Sequence, residues 1–283
     1  MENALKLRLD KLEIETATKS IIDNTNSNID DLKNIFNCID LTSLNTWDNN
    51  ISIKNMVDRV NEFSSRYNYK NVAAICVYPN FAETVKTNLK DKNINIAVVA
   101  GGFPASQTFL SVKIAECDLA VSKGANEVDI VLSVGRFNTE QYQDVFNEIF
   151  LIKQTIGKAH LKVILETGLH DSYDKIYHAS YIAMEAGADF IKTSTGKLQP
   201  AATPEAAYVM TKAIKDYFDK TGRRVGFKPA GGISKSEDAM IYYNIVRYNL
   251  GEEWLNNKLF RIGASSLANN ILSDLENKEI KFF

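Results

Sequence analysis

The sequence predicts an α/β protein, a closed (β/α)8 or TIM barrel with an N-terminal helical extension, on three observations. Eight short β-branched runs follow one another, helical patterning fills the gaps between them, and the runs are continuously apolar rather than alternating. A continuous apolar run marks a strand covered on both faces, which is the condition of a parallel sheet. A doubly wound open sheet would share those signs; the count of eight favours closure.

Residues 1–37 precede the first run and read as one or two helices, an extension packed on the bottom or the side of a barrel formed by residues 38–283. The first strand is Cys38–Thr42 (CIDLT). The second, Val72–Tyr78 (VAAICVY), stops at Pro79, and Phe81–Lys92 (FAETVKTNLKDK) reads as the helix after it. Ile94–Ala100 (INIAVVA) and Glu127–Ser133 (EVDIVLS) are the third and fourth. In the gap that follows, Thr139–Gly157, residues Tyr142, Val145, Phe146, Ile149 and Phe150 fall on one helical stripe. Leu161–Thr167 (LKVILET) and Phe190–Thr195 (FIKTST) come next, and Thr203 is placed to N-cap a helix over Pro204–Lys220. Arg224–Lys228 (RVGFK) and Phe260–Ser265 (FRIGAS) complete the set. Strand centres stand roughly 20–40 residues apart, room for one right-handed crossover each. No linker or repeat divides the chain, and all five prolines fall at or just past strand ends.

Bulk properties narrow the function classes. A length of 283 residues with 45% hydrophobic side chains suits one large α/β domain. A net charge of −2 gives no global field for nucleic acid or an anionic membrane, so neither is expected as a partner. No apolar run reaches the length of a membrane span, and the charged N-terminus has no apolar core for a signal peptide; a cytoplasmic location is expected. Cys38, Cys76 and Cys117 lack C-x-x-C spacing and read as buried free thiols. Three histidines without H-x-H or H-E-x-x-H spacing give no metal site, and Gly101-Gly102 without G-x-G-x-x-G gives no nicotinamide site, so no cofactor is expected.

The informative residues are charges where a core should be. Barrel strands point alternate side chains inward, and active sites lie at the strands' C-terminal ends. Lys192 follows Phe190-Ile191 inside the sixth run, and Lys228 ends the seventh. Neighbouring strands lie about 4.7–4.9 Å apart, so two ammonium groups would share one pocket. Burial and like charge both disfavour protonation, and one of the two lysines should lose its proton near neutral pH to become a nucleophile. No sequence-adjacent carboxylate neutralises them. In the fourth run Val128 and Ile130 face the helices, which turns Glu127 and Asp129 to the lumen, where a carboxylate can relay protons. Lys162 and Glu166, four apart on one face of the fifth run, read as a structural ion pair. A phosphate pocket is read at Ala230-Gly231-Gly232-Ile233 and Gly263-Ala264-Ser265-Ser266, the loops after strands seven and eight; tight turns alone would also explain those glycines.

From about Ile39 to Leu267 the chain resembles the 2-deoxyribose-5-phosphate aldolases, which are Schiff-base (class I) enzymes. The likeness rests on seven ordered stretches: Asp40-Leu41-Thr42-Ser43-Leu44, Ala74-Ile75-Cys76-Val77-Tyr78-Pro79, Gly102-Phe103-Pro104, Gly124-Ala125-Asn126-Glu127-Val128-Asp129, the run Gly187 to Lys197 (GADFIKTSTGK), the run Val225 to Gly232 (VGFKPAGG), and Arg261-Ile262-Gly263-Ala264-Ser265-Ser266. The resemblance implies that Lys192 forms the Schiff base, that Lys228 lowers its pKa and that Asp129 relays protons. It implies further that Asp40 and Thr42 line the sugar site, while Thr195, Gly196, Lys197, Gly231, Gly232, Gly263, Ser265 and Ser266 bind the substrate around its phosphate. The substrate it implies is a small phosphosugar, with no metal or other cofactor; a homodimer is compatible with it.

Two positions depart from the family. Many relatives carry Arg directly after the Gly-Gly-[Val/Ile] of the seventh loop, where this chain has Ser234, and some end in a tyrosine that assists proton transfer, where this one ends Phe282-Phe283. Another Schiff-base phosphosugar enzyme such as a transaldolase, separable by its donor aldehyde, and a catalytically silent sugar-phosphate-binding barrel are the competing readings. Two costly buried ammonium groups speak against the silent one.

Overall fold

The computed structural model describes residues 7–283. Its strands are β1 (Ile39–Thr42), β2 (Ala74–Val77), β3 (Asn95–Ala100), β4 (Glu127–Val131), β5 (His160–Ile164), β6 (Phe190–Lys192), β7 (Gly226–Lys228) and β8 (Ile262–Ala264). Each lies within the run expected of it, apart from the one-residue earlier start of β5. All pairings are parallel in the order β7-β6-β5-β4-β3-β2-β1-β8, and single bridges Phe227 to Phe260 and Ala230 to Gly263 close the ring. The fold is therefore the closed (β/α)8 barrel rather than the open sheet. Five of the strands, β2, β4, β5, β6 and β8, stop before their apolar runs do, and the residues beyond them leave the ladder for the βα loops.

Helices alternate with the strands. The extension forms α1 (Lys11–Asp23) and α2 (Ile29–Asn37); then come α3 (Asn50–Arg66), α4 (Ala82–Asn88), α5 (Leu110–Ser122), α6 (Val134–Asn138), α7 (Tyr142–Ile156), α8 (Tyr173–Glu185), α9 (Pro204–Thr221), α10 (Ser236–Leu250) and α11 (Leu267–Glu276). Thr203 caps α9 through a bond from the Ala206 N–H, as its position before Pro204 implies. On α7 the stripe holds for Val145 and Ile149, which are buried, but Phe150 is 42% exposed; it stacks on Phe146 at the outer edge instead of entering the core. In the extension, α1 lies against α9 and α10 and α2 against α10 and α11, so it covers the barrel's flank, with Phe36 stacked on Phe63 of α3. Residues 1–6 of the expected extension lie outside the described residues.

Alternation inside the barrel sets the site. On β6, Phe190 and Lys192 point inward and Ile191 outward; on β7, Gly226 and Lys228 point inward and Phe227 outward, with Lys192 and Lys228 in register. Gly226 is glycine for a steric reason: a Cβ there would overlap the ring of Phe190, which fills the bottom of the lumen. All three cysteines are buried and free. Among the described residues no helix is long and apolar enough to cross a membrane, and no group of three or more His, Cys, Asp or Glu could hold a metal ion.

Candidate active site

Seven charged side chains meet in the lumen, six from the strands β1, β4, β5, β6 and β7 and the seventh, Arg261, from the residue just before β8. Asp129 of β4 is fully buried; its Oδ2 accepts from Lys192 Nζ at 2.9 Å and from Lys228 Nζ at 2.7 Å, and its Oδ1 from Lys162 Nζ at 3.0 Å. Asp40 of β1 places Oδ2 2.5 Å from Lys228 Nζ and 3.3 Å from Lys162 Nζ, as ion-pair contacts, while its Oδ1 accepts from Arg261 Nη1 at 2.6 Å. Glu127 accepts from Lys162 at 2.5 Å and from both Arg261 Nη atoms, at 2.8 and 3.1 Å.

The electrostatics separate the two candidate lysines. Burial pushes the Lys192 amine below the ordinary lysine range; Asp129 opposes this and Lys228 adds to it, and the lowering prevails. Burial acts on Lys228 in the same sense, but Asp129 and Asp40 together outweigh it and hold Lys228 above its usual value. Asp129 itself, which burial alone would raise, is held well below the carboxylate range by Lys162, Lys192 and Lys228. The arrangement thus keeps one fixed ammonium beside one labile one. A carboxylate this acidic passes a proton on rather than storing it.

This network corrects two sequence readings. The lysines lack sequence-adjacent carboxylates, yet Asp129 and Asp40 reach them across the lumen, which offsets much of the burial cost. Lys162 does not pair with Glu166: β5 ends at Ile164, and Glu166 adopts a left-handed conformation (φ 53°) that turns its carboxylate to the Thr195 N–H and hydroxyl, at 3.1 and 2.6 Å. Arg261 went unrecognised as part of the site, although its place two residues before Gly263 on the same strand phase was the available signal.

Above the network opens a cavity of about 410 Å³ at the C-terminal ends of the strands. Lys192 reaches its floor, and Thr42, Thr195, Gly196 and Lys197 line one part of it. Gly231, Gly232, Gly263, Ser265 and Ser266 line the other, with Ser234 among them. Asp40, Asp129 and Lys228 stand beneath the lining, fully buried, so Asp40 faces the lysines rather than the open cavity. The loops after β6 and β7 touch: a Cβ on Gly231 (φ 90°) would come within 3.1 Å of the Gly196 Cα and 2.7 Å of the Ala201 Cβ. The cavity's far end is the N-terminus of α11, entered at Ser266, where the helix dipole favours an anion. Lys197 is tethered by its Nζ to the Leu44 carbonyl at 2.6 Å. Lys235 is exposed and does not line the cavity. The terminal Phe282 and Phe283 pack beside Phe63, and the Asn269 side chain holds both of their N–H groups, each at 2.9 Å; phenyl rings carry no proton to transfer.

Residues 35–246 match the DeoC/LacD family of aldolases. The deoxyribose-phosphate aldolase of Homo sapiens is 47% identical over 208 residues, 73% of this chain and 64% of that protein. That of Bos taurus is 42% identical over 252 residues, 85% of this chain and 78% of that one. Among solved structures, the aldolase QR15 superposes with a TM-score of 0.71 at 28% identity, covering 86% of this chain and 96% of the other.

Proposed function

This chain belongs to the DeoC/LacD aldolase family, and from that premise we propose that it reversibly cleaves 2-deoxy-D-ribose 5-phosphate to D-glyceraldehyde 3-phosphate and acetaldehyde, through a Schiff base on Lys192. The observation that carries the reading is the inequality of the two lysines: Lys228 has two carboxylates and Lys192 shares one, so Lys192 is the amine that reaches the cavity with its proton weakly held.

In this reading the neutral Lys192 amine adds to the sugar aldehyde carbon; the carbinol hydroxyl takes up a proton from solvent through the Asp129 relay and leaves as water, giving a cationic iminium. The C4 hydroxyl gives up its proton through the Asp129 relay, the C3–C4 bond breaks, and its electron pair moves into the iminium to form a neutral enamine. Glyceraldehyde 3-phosphate departs; protonation of the enamine and hydrolysis release acetaldehyde and restore the amine. Lys228 stays protonated throughout and keeps positive potential beside the nucleophile. Thr195, Gly196, Lys197, Gly231, Gly232, Gly263, Ser265 and Ser266 hold the phosphate end, with Thr42 at the sugar; Asp40 acts from beneath by fixing Lys228. Nothing in this scheme calls for a cofactor. The location is read as cytoplasmic.

Borohydride reduction in the presence of acetaldehyde or the deoxysugar phosphate tests the chemistry, because a stable secondary amine forms only where an iminium existed. Peptide mapping is expected to find the adduct on Lys192; an adduct on Lys228, or none, overturns the assignment. A donor test with acetaldehyde separates this reading from a transaldolase.

The phosphate end yields a second expected result. Ser234 lies in the cavity lining where many relatives place a guanidinium, and a charge-assisted hydrogen bond contributes about 1.5–3 kcal/mol. Ser234→Arg is expected to lower KM for deoxyribose 5-phosphate several-fold with kcat nearly unchanged, and to leave unphosphorylated deoxyribose unaffected, the pattern of added uniform binding. Equal gains for both sugars would remove the phosphate from that loop.

A further inference from the structure

The lumen network has a charge count. Among the described residues it joins three carboxylates, Asp40, Glu127 and Asp129, to four cations, Lys162, Lys192, Lys228 and Arg261. One cation is surplus. Arg261 cannot relieve the surplus, since a guanidinium does not lose its proton in a protein. Lys162 has three carboxylates within 3.3 Å and Lys228 has two within 2.7 Å, whereas Lys192 has only the Asp129 Oδ2 that it shares with Lys228.

We infer that Arg261 is a positioning residue for the reaction: from the floor of the barrel, without reaching the substrate, its fixed charge joins those of Lys162 and Lys228 to complete the balance of Asp40, Glu127 and Asp129, and so makes Lys192 the surplus cation of the lumen. This rests on the reading of Lys192 as the nucleophile. The geometry is that of a charge held in place. Arg261 forks over both oxygens of Glu127 on the opposite side of the barrel, reaches Asp40 with Nη1, donates Nε to the Asn257 carbonyl, and lies with its Cζ 5.6 Å from the centre of the Phe190 ring. It is 2% exposed, below the cavity, and touches nothing that a substrate could occupy.

The other titratable groups around these two cations do not change the balance. The Cys76 thiol near Lys192 and the Cys38 thiol near Arg261 are both pushed up by burial, Cys38 to about 12, and stay neutral. Glu166 is committed to Thr195, and half-exposed His160 stands 3.8 Å from Glu127 at the rim. Without Arg261, protonated Lys192 would be needed to balance the lumen instead of exceeding it. Without Glu127 the surplus would grow.

The test is the acid limb of the kcat/KM profile against pH, read alongside the rate of borohydride-trapped adduct formation, in four proteins. Arg261→Met is expected to move the midpoint up by about one pH unit or more, so that activity at neutral pH falls about tenfold and returns at higher pH. Glu127→Gln is expected to move it down. The double variant removes a cation with its anion, restores the count, and is expected to return the midpoint to within a few tenths of a unit of the parent. It also adds no uncompensated charge to those of the parent, so it keeps the comparison with Glu127→Gln alive if Arg261→Met fails to fold. A merely structural role would lower the amplitude and leave the midpoint fixed; that result, or a double variant that keeps the midpoint of Glu127→Gln, overturns the inference. Failure of the Schiff-base reading looks different, since the parent protein would then give no trapped adduct.

Discussion

Lys192→Met is expected to abolish aldol cleavage, by about 10⁴-fold or more, while leaving the protein at least as stable as the parent. The rate loss follows from the chemistry: without the amine there is no iminium to accept the C3–C4 electron pair, and a loss of 10⁴ corresponds to about 5.5 kcal/mol of transition-state stabilisation. The stability follows from the charge count. Lys192 holds its proton less tightly folded than it would unfolded. At any pH below the ordinary lysine pKa the unfolded chain binds that proton and the folded one resists it, so this lysine costs stability through the neutral range. A thioether of similar length fills the space without the cost. Steady-state cleavage assays and denaturant titration check both halves; cleavage above about 1% of the parent rate would move the nucleophile elsewhere, and a large loss of stability would show that Lys192 is a needed partner of Asp129.

Lys228→Leu is expected to do the reverse on the stability side and to act on rate through pH. Its ammonium lies 2.7 Å from Asp129 Oδ2 and 2.5 Å from Asp40 Oδ2. With it gone, Lys192 loses a repelling neighbour and becomes the nearest cation for Asp129, so its pKa rises and the amine is protonated at neutral pH. The rate at pH 7 should fall on the order of 10²-fold, one factor of ten for each unit of pKa, and recover in part as pH rises. The captured proton replaces part of the missing charge, so the fold survives. Because Lys192 would then hold its proton more tightly folded than unfolded, the variant's stability is present below the ordinary lysine pKa and is lost as pH rises through the new folded value. Parallel pH series of kcat/KM and of the denaturation midpoint read this directly. An unchanged pH profile would mean that the two lysines do not sense one another, despite their register and their shared carboxylate oxygen.

These effects trace back to what a strand's alternation makes visible in a sequence. Lys192, Lys228, Asp129 and Glu127 were legible as inward-facing because each interrupts an apolar run at a defined parity, and the glycine-rich loops were legible because they end the seventh and eighth runs. Glu166 departs from its parity for a related reason. Parity assumes that the strand continues, and β5 stops at Ile164, before Glu166 turns toward Thr195. Phe150 falls on the apolar stripe of α7, yet it stands at the stripe's edge, where packing rather than periodicity decides burial.

The sequence by itself determined the barrel, the order of its strands, the lysine inside the sixth run and the one that ends the seventh, and the loops suited to an anion, because all of these are local patterns of period and composition. Only the tertiary structure decided which carboxylate answers which cation. Arg261, at the foot of β8, grips Glu127 on β4, and Asp40 on β1 faces Lys162 on β5, pairs that stand on opposite walls and meet only when the ring closes. Closure also puts two carboxylates on Lys228 and one shared oxygen on Lys192. A proton's affinity for either lysine depends on distances across the lumen, and no spacing along the chain encodes those.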